Sequence, residues 1–192
     1  SLCRQQLQRK LDDIAFNGDT PSGVKGALTL ASTATYTVTA DGDGASKLWS
    51  AKDADKVLRD MNEPAAQVVK DTKGIEVPNT MLLPISLYEH VAGRRIGDGT
   101  STSILAYFRA NTAHITEVAR THKAETAGAG STTRVMCYEK NPAKLEFVVP
   151  VVFEQFAPGT SESGLEVVTV CHIRTAGMIN HRPKSVIYGD GQ

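Results

Sequence analysis

Apolar positions in this chain recur at helical spacing in four stretches, and elsewhere they alternate or run together as strands require. Leu7, Leu11 and Ile14 form one stripe over residues 2–15, which predicts a helix. Asn17 and Gly18 end it, because both tolerate the left-handed conformation of a helix terminus. Residues 33–40 alternate strictly and read as an exposed strand or ordered loop, before the turn-prone Asp41-Gly42-Asp43-Gly44. A longer helix starts at Ser50, capped in the Ser-x-x-Asp manner through Asp53, with Val57, Leu58, Met61, Ala65, Val68 and Val69 on one side. Gly74 ends it, and Trp49 reads as the packing anchor at its start. Pro64 lies inside the pattern, yet the stripe keeps its phase across the proline, which favours one kinked helix.

Residues 80–84 are a short apolar run suited to a buried strand, and Ser86 then caps a helix carrying Leu87, Val91 and Ala92. A further helix spans residues 103–111, with Ile104, Leu105 and Phe108 as its buried positions. Residues 114–119 supply another strand, and residues 133–139 are expected to pair beside it. Between them residues 124–132 are small and flexible in type, which predicts a projecting loop. From residue 145 to 190 three β-runs follow, 145–156, 165–175 and 178–190, rich in β-branched and aromatic residues. Ala157-Pro158-Gly159 with residues 161–164, and Ala176-Gly177, supply the breaks of a predicted antiparallel meander. Alternating helix and strand in the middle and strands alone at the end describe an α+β chain of two subdomains, the middle one inserted between the first helix and the meander.

Composition narrows the function. The 192 residues suffice to bury a core without staples. Lys plus Arg equals Asp plus Glu at 21 each, so the basic excess expected of a protein that holds nucleic acid through its phosphates is missing. No apolar run approaches the ~20 residues that span a bilayer. Cys3, Cys137 and Cys171 are odd in number and far apart in sequence, which reads as reduced thiols, with Cys137 and Cys171 acting as small apolar residues within β-runs. The first helix has no clear beginning, Ser1 being a thin cap, and the chain reads as truncated or processed.

Reactive constellations are few. His90, His114, His122, His172 and His181 never stand at the spacing of a helical zinc pair. His172 and His181, which flank one predicted hairpin, are the best available pair, and they read as ordinary strand residues. Residues 93–100 superficially resemble a phosphate loop but follow a helix and lack the Lys-Ser/Thr pair, so Arg94 and Arg95 are better placed to complement a helix C-terminus. Asp41 and Asp43 lack the ligand series of a calcium loop. Neither a nucleophile elbow nor a dinucleotide fingerprint occurs, so no catalytic, cofactor or metal residue is assigned.

Four ordered blocks carry a resemblance. They are Ile14-Ala15-Phe16-Asn17-Gly18-Asp19 with Gly26; Pro78-Asn79-Thr80-Met81-Leu82-Leu83-Pro84 with Tyr88; Tyr138-Glu139-Lys140-Asn141-Pro142; and Pro150, Phe153, Gly164-Leu165, Gly177, Arg182-Pro183 and Gly189-Asp190-Gly191. Together they resemble the major capsid protein family of tailed bacteriophages and prophages. The resemblance implies a Hong Kong 97-like capsid fold, with residues 1–25 and 141–192 as a peripheral subdomain (end of the spine helix plus antiparallel sheet) and residues 26–140 as an axial subdomain. It implies a shell protein rather than an enzyme, needing no cofactor. Its partners would be its own copies in pentamers and hexamers, with scaffold, portal or decoration proteins, and neither a membrane nor a specific nucleic-acid sequence. The protein would reach the virion from the bacterial host cytoplasm. Residues 124–132 would approach a symmetry axis, which makes Ala124, Gly128, Gly130 and Ser131 candidate assembly contacts. Such proteins carry an N-terminal arm and an extended hairpin ahead of the helix, so these 192 residues alone are expected not to close shells. Two alternatives stay open: a cellular encapsulating compartment, and an enzyme whose site has no recognised motif.

Overall fold

The computed structural model describes residues 2–31, 33–160 and 164–192. In chain order it forms α1 (Leu2–Asn17), β1 (Ala34–Tyr36), α2 (Ala54–Asp71), β2 (Thr80–Pro84), α3 (Ile85–Gly93), α4 (Ile104–Asn111), β3 (Glu117–Thr121), β4 (Arg134–Tyr138), β5 (Leu145–Val148), β6 (Val151–Gln155), β7 (Gly159–Thr160), β8 (Val167–Val168), β9 (Cys171–Arg174), β10 (Gly177–Asn180) and β11 (Val186–Asp190). The chain divides into two compact units, one of residues 1–29 and 146–179, the other of residues 30–145 and 180–192.

The larger unit is built on a five-stranded mixed sheet in the order β1-β11-β4-β2-β3. β1 and β11 run parallel, as do β2 and β3, while β4 is antiparallel to both of its neighbours. Every residue of β2 is buried, as its apolar run of residues 81–84 in an interior strand requires. Met81, Leu83, Val135, Cys137 and Ile187 of the sheet join α2, α3 and α4 in one core. α2 contributes Val57, Met61, Ala65 and Val68 at helical spacing, and each large apolar side chain removed from water is worth about 1.5–3 kcal/mol. Trp49 sits in the same core at 1% exposure. The helix runs unbroken through Pro64, which is itself buried, and stops where Lys73 and Gly74 adopt φ of 55° and 82°. Ser103 caps α4 by accepting from the Ala106 amide at 3.2 Å.

The smaller unit pairs β5 with β10, β6 with β9, and β7 with β8 in separate two-stranded sheets. α1 lies along β9, with Leu7, Leu11 and Ile14 half-buried, and no residue of this helix is fully buried. Its C-terminus is tied off by a return of the chain. The carbonyls of Ala15 and Phe16 accept from the Ala27 and Leu28 amides at 2.7 and 2.8 Å, and that of Asn17 accepts from the Thr29 hydroxyl at 3.0 Å. Gly18 at φ 78° starts this return, and Gly26 passes so close that a Cβ there would lie 2.4 Å from the Phe16 oxygen. The block 14–19 with Gly26 is therefore a helix-ending device.

Several expectations change. The last three β-runs do not form one meander: Pro150 and the Arg182-Pro183 pair, where backbone donors are missing, divide the first and third runs, and β11 enters the five-stranded sheet. β4 pairs with β2 and β11 and never with β3, because β2 stands between them. The strand expected at 114–119 begins later, at Glu117, although Ile115 is still buried. The segment expected as an exposed strand is an edge strand, with Tyr36 and Val38 buried. α2 starts at Ala54 after Asp53, and Ser50 lies in a separate 3-10 turn, Trp49–Ala51. Pro84, not Ser86, precedes α3. Residues 161–163 of the predicted break, and the cap residue Ser1, lie outside the described residues.

Candidate functional site

Residues 124–132, expected as a projecting loop, are folded. A 3-10 turn at His122–Glu125 packs on β2 and β4 and buries Ala124 completely, and a second turn covers Ala129–Ser131. The Glu125 carboxylate accepts from the Ser86 amide at 2.8 Å and the Ser86 hydroxyl at 2.7 Å, joining this turn to the start of α3. Gly128 is buried, and a Cβ there would meet the Thr132 hydroxyl at 2.6 Å and the Thr133 carbonyl at 2.7 Å, so only glycine fits. The Ala129 amide donates to Asp190 Oδ2 at 3.1 Å, and Arg134 holds the same carboxylate at 2.7 Å while lying 4.5 Å from the centre of the Tyr188 ring. Burial pushes the Asp190 carboxyl up, and the bonds from Arg134 and Ala129 more than reverse this, leaving it below the ordinary carboxylate value. Of the four candidate contacts, Ala124 and Gly128 are therefore internal. Gly130 and Ser131 are exposed, at φ of 68° and 60°. The tip is pre-shaped, which lowers the entropy lost on contact with a partner.

A second exposed feature lies in the smaller unit. The β7–β8 pair and its flanks present Phe156, Leu165, Val167, Val168 and Val170, all between 46% and 90% exposed. Two-stranded sheets with open edges and apolar side chains invite pairing with another chain.

The larger unit hides a charge network that sequence pattern did not reveal. Lys52 is 1% exposed and donates to Asp60 Oδ2 at 2.5 Å and to the Thr39 carbonyl at 2.7 Å. Arg59 completes it, bonding Asp60 Oδ1 and Asp41 Oδ2 at 2.8 Å each. Arg59 holds the Asp41 carboxyl down at about 2. One signal existed: Asp60 falls on the apolar stripe of α2, three residues after Val57.

No reactive constellation assembles among the described residues. No three or more His, Cys, Asp or Glu side chains stand close enough to hold a metal ion. His172 stacks on Phe156 with ring centres 5.3 Å apart and lies 3.4 Å from Glu154, whereas His181 belongs to the larger unit, within which its amide donates to the Lys144 carbonyl. An open hollow of about 630 Å³ lies among Asp53, Asp55, Arg94, Arg95 and Asp98, and one of about 640 Å³ among Asp71, Ile75, Glu76, Arg182 and Lys184. Neither hollow is lined by a histidine. Arg94 follows α3 and donates its amide to the His90 carbonyl at 3.0 Å. Cys137 is sealed in the core, which pushes its thiol up to about 12, whereas Cys3 and Cys171, remote in sequence, are hydrogen-bonded neighbours.

Comparison with known proteins bears on this geometry. A family model described as major capsid protein matches residues 1–191. The capsid of Myoviridae phage XM1 has the same fold, with a TM-score of 0.83 at 16% identity over 100% of this chain. The chain spans 63% of the length of that protein. A virus-like particle from Pyrococcus furiosus matches over 85% of this chain and 58% of its own, at 13% identity and TM-score 0.56. Mycobacterium phage Che8 matches over 82% and 53%, at 10% identity and TM-score 0.50. No curated protein shows a significant sequence match.

Proposed function

The chain belongs to the major capsid protein family, and on that membership we propose that it is the repeating subunit of an icosahedral shell, the head of a tailed phage or prophage that encloses the genome. The family match across residues 1–191 carries this reading. The work is structural, not catalytic, and it uses no cofactor. The unit of residues 30–145 and 180–192 corresponds to the axial subdomain, and that of residues 1–29 and 146–179 to the peripheral one, with α1 as the end of the spine helix. Copies associate as pentamers and hexamers through heterologous contacts, in which one surface of a subunit meets a different surface of the next. The tip at Gly130 and Ser131 and the apolar strands around Leu165 and Val167 are the contacts best suited to that use. Equal numbers of acidic and basic residues suit a crowded lattice, where a strong single-sign charge would repel. Scaffold, portal or decoration proteins are further partners, and the subunit passes from the host cytoplasm into the virion.

Expression of the full reading frame, with any segment that flanks these 192 residues, followed by electron microscopy of the purified product, tests the proposal. Regular icosahedral particles are expected, and a protein that stays monomeric at high concentration would refute a shell role. The contents of the particles separate the alternatives: nuclease-protected DNA supports a phage head, and an enclosed enzyme would reassign the shell to a cellular compartment.

A further inference from the structure

Cys3 and Cys171 come from opposite ends of the chain, yet both belong to the smaller unit. α1 lies along β9, whose first residue is Cys171, opposite Gln155 of β6. Arg4, next to Cys3, places its guanidinium carbon 5.9 Å from the centre of the Phe153 ring on β6. The first turn of the helix therefore lies over the β6–β9 pair. The two thiols share a hydrogen bond, neither is in a disulfide, and both are only half-buried, so a small reagent can reach them. A disulfide needs Cα atoms about 4.4–6.8 Å apart, a separation that a helix turn lying on a strand can supply.

We propose that Cys3 and Cys171 form a reversible redox staple, which ties the start of α1 to β9 when the protein meets a small-molecule disulfide such as oxidised glutathione. The Cys3 thiolate attacks one sulfur of the glutathione disulfide; its S–S bond breaks, a mixed disulfide forms on Cys3, and one glutathione leaves and takes up a proton. Cys171 then gives its proton to solvent and attacks the Cys3 sulfur, forming the Sγ–Sγ bond and releasing the second glutathione. Two cysteines are oxidised, and one glutathione disulfide is reduced to two thiols. The hydrogen bond to Cys3 is the main cause that pushes the Cys171 thiol up, which delays its ionisation and suits it to the second step. α1 has no fully buried residue, so the bond would add to the partial packing that holds the helix on β9. In a shell subunit the staple would close on passage from a reducing cell to oxidising surroundings, a setting that rests on the proposed role, whereas the chemistry of the pair does not.

The full chain, purified with reductant and moved into oxidised glutathione at mildly alkaline pH, is analysed by intact mass and non-reducing peptide mapping. The chain is expected to lose two hydrogens without a lasting adduct and to yield linked Cys3 and Cys171 peptides. Thiols titrated in denaturant fall from three to one, and amide exchange in the second turn of α1, where the amides are hydrogen-bonded within the helix, slows several-fold. A chain that keeps three thiols, a glutathione adduct that persists on either cysteine, or disulfide-linked dimers alone would overturn the proposal. Cys3→Ser provides a second readout: Cys171 should then retain glutathione, and failure to accept it would equally overturn the proposal. The wild-type peptide map decides the matter even if that variant does not fold.

Discussion

Replacing Asp60 by leucine tests how the larger unit tolerates charge in its core. Lys52, Arg59, Asp60 and Asp41 form a neutral quartet, in which the side chains of Lys52 and Asp60 have no exposed surface. Asp60→Leu leaves Lys52 with the Thr39 carbonyl at 2.7 Å and Asp41 at 3.2 Å, facing Arg59 with one carboxylate between two cations. Removing one member of a buried pair costs about 3–5 kcal/mol, because the other charge stays buried and under-compensated. Lys52→Met is milder, since Asp60 keeps both Arg59 bonds, at 2.8 and 3.3 Å, so about 1–3 kcal/mol is expected. In the double variant the surplus charge disappears, and its cost should fall well below the sum of the single ones, by about 2 kcal/mol or more. Trp49 is the only tryptophan, buried in the same core, so its fluorescence in a thermal or urea scan follows this unit directly. At about 2–4 °C per kcal/mol for a chain of this size, Asp60→Leu should lower the midpoint by roughly 10 °C. Single variants within 1 kcal/mol of wild type, or strictly additive costs, would show that the quartet does not act as a unit.

Three further outcomes can be measured. Gly26→Ala forces a methyl group to 2.4 Å from the Phe16 carbonyl and should cost about 3 kcal/mol, seen as faster amide exchange through the C-terminal half of α1; unchanged exchange would refute the close approach. Asp41 is held near 2 in the folded protein, chiefly by Arg59, so its stabilising effect is complete above the ordinary carboxylate value of about 4 and is lost as pH falls from there toward 2. Arg59→Gln should move the acid transition of Trp49 fluorescence to higher pH, and a transition left in place would contradict the assignment. Cys137, raised to about 12 by burial, should stay inert to a thiol reagent at pH 8 while Cys3 and Cys171 react, and simultaneous labelling of all three would place it wrongly.

Local elements were legible where one short segment contains its own reason. The run of residues 81–84 is apolar throughout and fills most of an interior strand, and Ser103 before Ile104, Leu105 and Phe108 marks a capped helix with its buried face. Pairing was not legible, because β4 offers the same side chains whether β3 or β2 lies beside it, and hydrogen bonds between distant segments decide. The segment around Gly128 has the composition of a flexible loop, and the bond from Ala129 to Asp190, which shapes it, comes from the far end of the chain. Asp60 could be read only as an interruption of an apolar stripe until Lys52 and Arg59 were placed around it. The contact between Cys3 and Cys171 left no sequence signal, since no spacing rule relates residues that meet through tertiary packing alone.

The position of β11 has a consequence for the order of events during synthesis. This strand is made after the other four strands of its sheet, yet it lies inside that sheet, between β1 and β4. A nascent chain that lacks it has β4, β2 and β3 with an open edge, and a β1 with nothing to join. The sheet therefore closes only after residues 186–190 leave the ribosome, a late, long-range step that sets a slow folding rate. Asp190, which fixes the Ala129 amide, arrives in the same step, so the exposed tip takes its final form only once β11 is in place. Such timing would keep incomplete chains from presenting a finished contact surface to their neighbours.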